Sequence, residues 1–402
     1  MVQRRAVIVG GSMSGLLAAI MLTRRGWSVD VFERVAGELA GRGAGIVAQA
    51  QLIAHLTAAG LDMRALGVAI STRKIFDTAG RVTAAIACPQ VLTAWERVYR
   101  ILRDAVPERF YHRGRSLHAF TQDNRGVVAH FSDGSNVAAD VLIGADGLRS
   151  TVRRQCLPAV TPLYAGYVAW RALVPENALP PTIHRELFDV MAFCLPPREQ
   201  FLGYPVAGAD NDLRPGHRRY NVVWYRPADA ETELPWLLTD EQGITHSLSI
   251  PPPLIRRDAI AGMHAAAERL LAPQLRDVVR LIDEPLLQPI YDLASPQLAF
   301  GRVAIIGDAA FVARPHVAAG VSKAADDAAA LAAALEDGDV IGALRRFEAE
   351  RLPQGNRIIE RARHLGAYLQ ATQSAEERTR SARHGIPEAV LAETAVLDFL
   401  YA

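Results

Sequence analysis

Residues 6–33 constrain the fold of this chain more than any other stretch. Ala6 to Val9 is a short apolar run, as a strand buried on both faces would be. Gly10, Gly11, Ser12, Met13, Ser14 and Gly15 follow, and then "LLAAIMLTRRG" carries helical apolar spacing with Gly26 just past its end. "WSVDVFER" supplies a second strand ending at Glu33, 23 residues after Gly10. The order is therefore strand, glycine turn, helix, strand, acid, with the acid near the expected distance of roughly 20 residues. Gly10 permits a tight turn and Gly15 lets helix pack closely on strand. Ser12, where a second glycine is usual, is small enough for backbone to approach a pyrophosphate. The helix start offers unpaired N–H groups and partial positive charge to that pyrophosphate. Glu33 can accept a hydrogen bond from a ribose hydroxyl, and its charge disfavours a 2′-phosphate there. These residues predict a dinucleotide site.

Two later stretches have the same form. Residues 139–154, "ADVLIGADGLRSTVRR", run from a strand into Gly144-Ala145-Asp146-Gly147. Residues 301–335 run from Val303–Ile306 into Gly307-Asp308, a proline-containing loop and a long alanine-rich helix. Both acids fall at the C-terminal end of a predicted strand, where open α/β sheets place ligands. The Asp308 carboxylate can grip polyol hydroxyls. Backbone N–H groups near Gly320 and Val321 can face a ring that gains negative charge.

Together the fingerprint, the "GADG" turn and "GDAA…P…AG" leading to "DDA" resemble the FAD-dependent aromatic-ring hydroxylases of the para-hydroxybenzoate hydroxylase type. The patterns at 8–16, 164–171 and 314–328 are most similar to the dihydroxypyridine-hydroxylating members. The resemblance spans residues 1 to about 360. It implies an α/β chain with a discontinuous Rossmann-like FAD domain, an inserted, mostly antiparallel substrate domain and C-terminal helices. It places Gly10, Ser12 and Gly15 at the ADP pyrophosphate and Glu33 at the adenosine ribose, with Met13, Ser14 and Arg34 also binding the cofactor. Arg42 falls near the pyrophosphate or the nicotinamide nucleotide, and Asp146 in a turn serving both nucleotides. Asp308 binds the ribityl chain, Pro315 borders the flavin, and Gly320 and Val321 donate to N1 and O2. FAD is expected to be tight and non-covalent, with NADH or NADPH as transient co-substrate and O2 as oxidant. Three positions depart from the family pattern: Ser12, Ser322 in place of asparagine, and Trp95 in place of a pyrophosphate-clamping arginine. Arg97 and Arg100 are the candidate substitutes for the last.

The scatter of these landmarks predicts FAD-domain segments at 1–160 and 286–355, a substrate domain at 161–285 aided by about 72–95, and helices over 356–402. Residues 162–226 alternate as strands bounded by proline and glycine clusters. Tyr204 and Trp224, on separate strands, are candidates to line an aromatic pocket, the alternative being ordinary sheet core. Arg171 is expected to pair with an acid at the domain interface rather than touch substrate. The last stretch, "IPEAVLAETAVLDFLYA", is amphipathic and docks on its own chain or a second copy, which leaves a homodimer open.

The chemistry expected is hydroxylation of a small, electron-rich phenol- or hydroxypyridine-type ring through a flavin C4a-hydroperoxide, with water excluded. His316 is the candidate base for the substrate hydroxyl. Alternatives are another FAD oxidoreductase on this scaffold (epoxidase, halogenase or reductase) or a non-catalytic flavin-binding regulator. With 44 basic and 43 acidic residues there is no basic block for nucleic acid. The three cysteines lie far apart, form no CxxC and fit a reducing cytoplasm. No run approaches membrane-span length, and no metal site is expected.

Overall fold

A computed structural model describes residues 3–39, 45–336 and 338–400. Its first sheet has six strands in the order Ala299–Phe300, Val303–Ile305, Val141–Gly144, Arg5–Val9, Ser28–Glu33, Tyr111–Arg113. The five from Val303–Ile305 to Tyr111–Arg113 run parallel. Parallel strands are covered on both faces, and Ala6, Val7, Ile8, Val141, Leu142 and Ile143 are all fully buried, which explains their unbroken apolar runs. The register aligns Val9 with Gly144 and Gly144 with Ile305. Three strands far apart in sequence therefore end side by side, and their turns leave the same edge of the sheet.

The first helix, Met13–Thr23, is buried nearly all round. It packs against the helix Gly320–Ala334, whose Ala324, Ala325 and Ala328 are buried and small enough for close approach.

The second sheet has nine strands, ordered Phe311–Val312, Leu286–Ala294, Leu163–Pro175, Arg219–Pro227, Gln200–Val206, Val190–Cys194, Val68–Phe76, Val82–Ala94, Gly45–Val47. The long pair Val68–Phe76 and Val82–Ala94 thus joins the strands of the chain's middle third. Leu286–Ala294, assigned by sequence to the second FAD-domain segment, is instead a strand of this sheet, antiparallel to Leu163–Pro175. A third, three-stranded sheet (Leu117–Gln122, Val127–Phe131, Asn136–Ala139) flanks the first.

Side chains alternate across the nine-stranded sheet. One face, with Trp170, Ala172, Val174, Val222 and Trp224, forms a core with residues of the helices Arg257–Leu270 and Pro273–Val279. The other presents Tyr167, Ala169, Leu202, Tyr204, Val223 and Tyr225. The C-terminal stretch docks on its own chain. Buried Arg73 donates from Nη1 to the carbonyls of Leu391 (2.8 Å) and Thr394 (2.6 Å), and Ala395 N–H donates to His316 O at 2.7 Å. Among the described residues, no helix is long and apolar enough to cross a membrane.

Candidate active site

The three turns meet at the shared sheet edge. Gly10 N–H donates to Phe32 O (2.8 Å), Ala145 N–H to Val9 O (2.7 Å) and Ile306 N–H to Gly144 O (2.9 Å). Gly10 has φ +107°, and a Cβ there would stand 2.3 Å from Ala145 O. A side chain at this position would therefore push the first and second turns apart. A Cβ at Gly15 would lie 1.9 Å from Gly10 O, so helix and turn touch backbone to backbone. Arg153, buried at the end of the second turn, donates to Ala309 O at 2.9 Å and ties that turn to the third.

Two adjoining cavities open here. The wider, about 570 Å³, is lined by Met13, Ser14, Asp308, Pro315, His316, Gly320 and Val321 on one side, and by Arg171, Tyr204, Val223 and Tyr225 of the nine-stranded sheet on the other. The narrower, about 290 Å³, is lined by Gly10, Glu33, Arg34, Arg115, Asp146 and Arg149. Ser12, Trp95, Ala145 and Gly147 line both, so the two form one elongated cleft.

This cleft suits FAD. Ser12 caps the first helix in an extended conformation, and its hydroxyl makes no capping bond, which leaves it and the helix start turned to the junction of the two cavities. Glu33 is buried and accepts from Gly11 N–H and Val35 N–H, both at 2.9 Å, which fixes its carboxylate at the narrower cavity. Asp308 accepts no hydrogen bond among the described residues and opens into the wider cavity. Surrounding protein raises its pKa through desolvation, against the pull of Lys323. The carboxylate is exposed to the open cavity and free of protein donors among the described residues, so polyol hydroxyls filling that space could donate to it. The 15-residue helix Gly320–Ala334 starts at the same wall with no side-chain cap and no acid in its first turn. Its first N–H groups are thus available to an electron-rich ring edge.

Other expected residues are placed differently. Trp224 points to the opposite face of the sheet and packs in the helix-covered core. It is not a pocket residue, because its neighbours Val223 and Tyr225 take the cavity side and strand alternation sends it away. Arg42 lies outside the described residues. Asp146 lines the narrower cavity, but its carboxylate already accepts from Ser150 Oγ and from the N–H groups of Thr151 (2.6 Å) and Val152 (3.3 Å), holding the short helix Thr151–Cys156. Neither Arg97 nor Arg100 lines the cleft; Arg100 pairs at the surface with Glu96 (2.7 Å) and Asp210 (2.9 Å). Arg115, ion-paired with Asp133 at 3.0 Å, and Arg149, two residues past the Gly144–Gly147 turn, line the narrower cavity instead. Trp95 stacks on Tyr99, with ring centroids 5.1 Å apart, at the junction of the two cavities.

Tyr204 lines the wider cavity, and so does Tyr225, which the sequence reading passed over. The register supplies the missing signal: Tyr225 pairs with Gln200, four residues from Tyr204 along the same strand and so on the same face. Arg171 also lines this cavity and pairs with no acid among the described residues; its Nη1 donates to Gln288 Oε1 at 2.8 Å.

The chain is 32% identical over 386 residues to 2,6-dihydroxypyridine 3-monooxygenase of Paenarthrobacter nicotinovorans, with 96% of each chain covered. It belongs to the FAD-dependent aromatic-ring hydroxylases. The solved structure of 2,6-dihydroxypyridine-3-hydroxylase from Arthrobacter nicotinovorans superposes with a TM-score of 0.86 at 32% identity, covering 92% of this chain and 94% of that one. The 3-amino-4-hydroxybenzoate 2-monooxygenase of Streptomyces cremeus is 30% identical, with 90% of this chain and 86% of that protein covered. The FAD binding domain-like family model matches residues 164–292. As a member of the aromatic-ring hydroxylases, the chain is an FAD-dependent monooxygenase that consumes NAD(P)H and O2.

His316 is buried at the cavity wall of this hydroxylase. It shares a 2.9 Å hydrogen bond with the Tyr167 hydroxyl and lies 4.4 Å, centroid to centroid, from the Tyr225 ring. Burial pushes its pKa down to about 3, and the charge of Arg314 adds to the effect. The imidazole is therefore neutral near pH 7. The unfolded imidazole protonates near pH 6.5 and the folded one only near 3, so between those values the unfolded chain binds more protons. Stability from this group is full above pH 6.5 and falls as pH drops, by up to about 1.4 kcal/mol per pH unit. In thermal melts from pH 8 to 4, His316→Gln should show a shallower acid decline than the parent. Parallel curves would contradict the depressed pKa.

Proposed function

We propose that this enzyme hydroxylates a small, electron-rich ring that already bears a hydroxyl, of hydroxypyridine or phenol type. Ring C–H, O2, NAD(P)H and a proton give ring C–OH, water and NAD(P)+. FAD, when bound, would supply the redox chemistry between the nicotinamide and O2. The observation that carries this reading is one wall-to-wall pairing. Asp308 and the N-terminus of Gly320–Ala334 face the aromatic side of the nine-stranded sheet across a single cavity.

In this reading Gly10, Ser12 and Gly15 cradle the pyrophosphate, Glu33 and Arg34 receive the adenosine ribose, and Asp308 grips the ribityl hydroxyls. Pro315 would lie beside the flavin ring, and the amides of Gly320 and Val321 would be available to hold it. Tyr204 and Tyr225 flank the substrate ring. Burial pushes the Tyr204 hydroxyl up to about 12, so it stays protonated and can donate to a ring oxygen. His316 and Tyr167 hold the flavin-side loop as neutral partners. The buried sheet face and the C-terminal residues Thr394 and Ala395, which also line the cavity, exclude water from the transfer.

A panel of hydroxylated pyridines and benzenoids, tested with NADH and with NADPH, checks the proposal. At least one ring should accelerate nicotinamide oxidation and appear as hydroxylated product in one-to-one ratio. Stimulated oxidation that yields only hydrogen peroxide, for every ring tried, would favour a reductase on this scaffold instead.

A further inference from the structure

Arg171 sits in the strand Leu163–Pro175 with Val223 opposite on one side and Leu286 on the other. Strand alternation puts it on the same face as Tyr167 and Ala169, toward the wider cavity. Its Nη1 is held by the neutral Gln288 amide at 2.8 Å, and its Nε is buried without an acceptor. Among the described residues no carboxylate comes within ion-pair distance of it.

The remaining charged or titratable groups of that cavity do not offset this cation. Asp308 belongs to the opposite, cofactor-side turn. Arg314 is committed to Asp292 at 2.8 Å. His316 is neutral, and Tyr204 and Tyr225 are phenols whose pKa values burial raises, against the pull of Arg171 itself. A guanidinium fixed in a cavity wall without a counter-charge is a site waiting for an anion, because charge-assisted bonds to guanidinium are among the stronger polar contacts.

We propose that Arg171 binds an anionic oxygen on the substrate ring, either a carboxylate substituent or a ring hydroxyl that ionises on binding. The assignment rests on the ring-hydroxylase reading and deepens it. An ionised ring oxygen pushes electron density into the ring that must attack the activated oxygen. Arg171 stabilises that ionised form, so the site does not need a strong base in the place of His316. Gln288 holds one arm of the guanidinium and thereby sets the direction of the rest.

The test uses the FAD-saturated enzyme without reductant, with ring binding followed by perturbation of the flavin absorbance. The probes are 4-hydroxybenzoate (a carboxylate), 2,6-dihydroxypyridine (an acidic ring hydroxyl without carboxylate) and phenol (neutral). Arg171→Met should weaken the anionic ring that the parent holds by roughly 10- to 100-fold while changing phenol by less than about threefold, as expected for one lost charge-assisted contact. Arg171→Lys should recover part of the loss, since it restores charge but not the fork. Whichever of the two anionic probes shows the loss names the source of the charge. Equal weakening of all three rings, or unchanged binding of the anions, overturns the assignment and leaves the ring-hydroxylase reading standing. If no ring perturbs the parent's bound flavin, the ring-hydroxylase reading falls, and the role of Arg171 with it.

Discussion

Asp308→Ala is expected to emerge from a desalting column without its flavin. The carboxylate has no donor among the described residues, and it is aimed into the cavity where the cofactor's polyol chain fits. Each charge-assisted bond to a hydroxyl is worth about 1.5–3 kcal/mol, so losing one or two should weaken FAD by about 100-fold or more. The folded apoprotein should not suffer. In the flavin-free protein this carboxylate is exposed to the open cavity and bonds nothing among the described residues, so the apoprotein Tm should hold. Fluorescence titration with FAD and thermal melts of flavin-free protein measure the two effects separately. Parent-like FAD affinity would remove Asp308 from the cofactor site.

Asp327→Ala should do the reverse and lower the Tm of apoprotein and holoenzyme alike. The Asp327 carboxylate is buried in the helix Gly320–Ala334. It accepts from Gly307 N–H at 3.0 Å, pairs with Arg351 Nε at 2.9 Å and lies 3.5 Å from Lys323 Nζ. Both cations are themselves buried. Truncating the acid leaves Lys323 and the Gly307 amide without their partner and Arg351 with only Asp326 at 3.8 Å, a loss of about 3–5 kcal/mol. For a chain of this size that corresponds to a fall in Tm of about 4–6 °C. Because Gly307 is the anchor of the Asp308 turn, flavin affinity should also decline, though less than in Asp308→Ala. A parent-like melting curve would show that the cluster is not an energetic unit.

These two neighbouring acids show how unevenly the site is written in the chain. Asp308 is legible because it follows a buried strand and a glycine, and a turn at a strand's C-terminal end is where such sheets bind ligands. Asp327 belongs to the "DDA" pattern that marks the family resemblance, yet its work is to neutralise Lys323 and Arg351 and hold the turn. Local sequence cannot reveal that, since Arg351 lies on the following helix and Gly307 on the preceding strand's end.

The same divide separates Trp224 from Tyr225. Composition makes either a pocket residue, and only the pairing of Trp170 with Trp224 across two strands decides which face is which. Arg171 and the phosphate-side cations follow suit. Arg100 has the right chemistry but points away to Glu96 and Asp210, whereas Arg149 and the Asp133-paired Arg115 reach the cleft.

By itself the sequence determined the local pieces: buried strands from unbroken apolar runs, tight turns from glycine, helix starts beside them, and the acids at their ends. These follow from backbone geometry and short-range spacing, which a linear chain records directly. Tertiary structure alone decided which side chains face one another across the cleft, which charges are already neutralised, and which one is left for a ligand. Those are properties of register and packing between segments about 300 residues apart in sequence, where a one-residue change in strand parity turns a side chain from cavity to core.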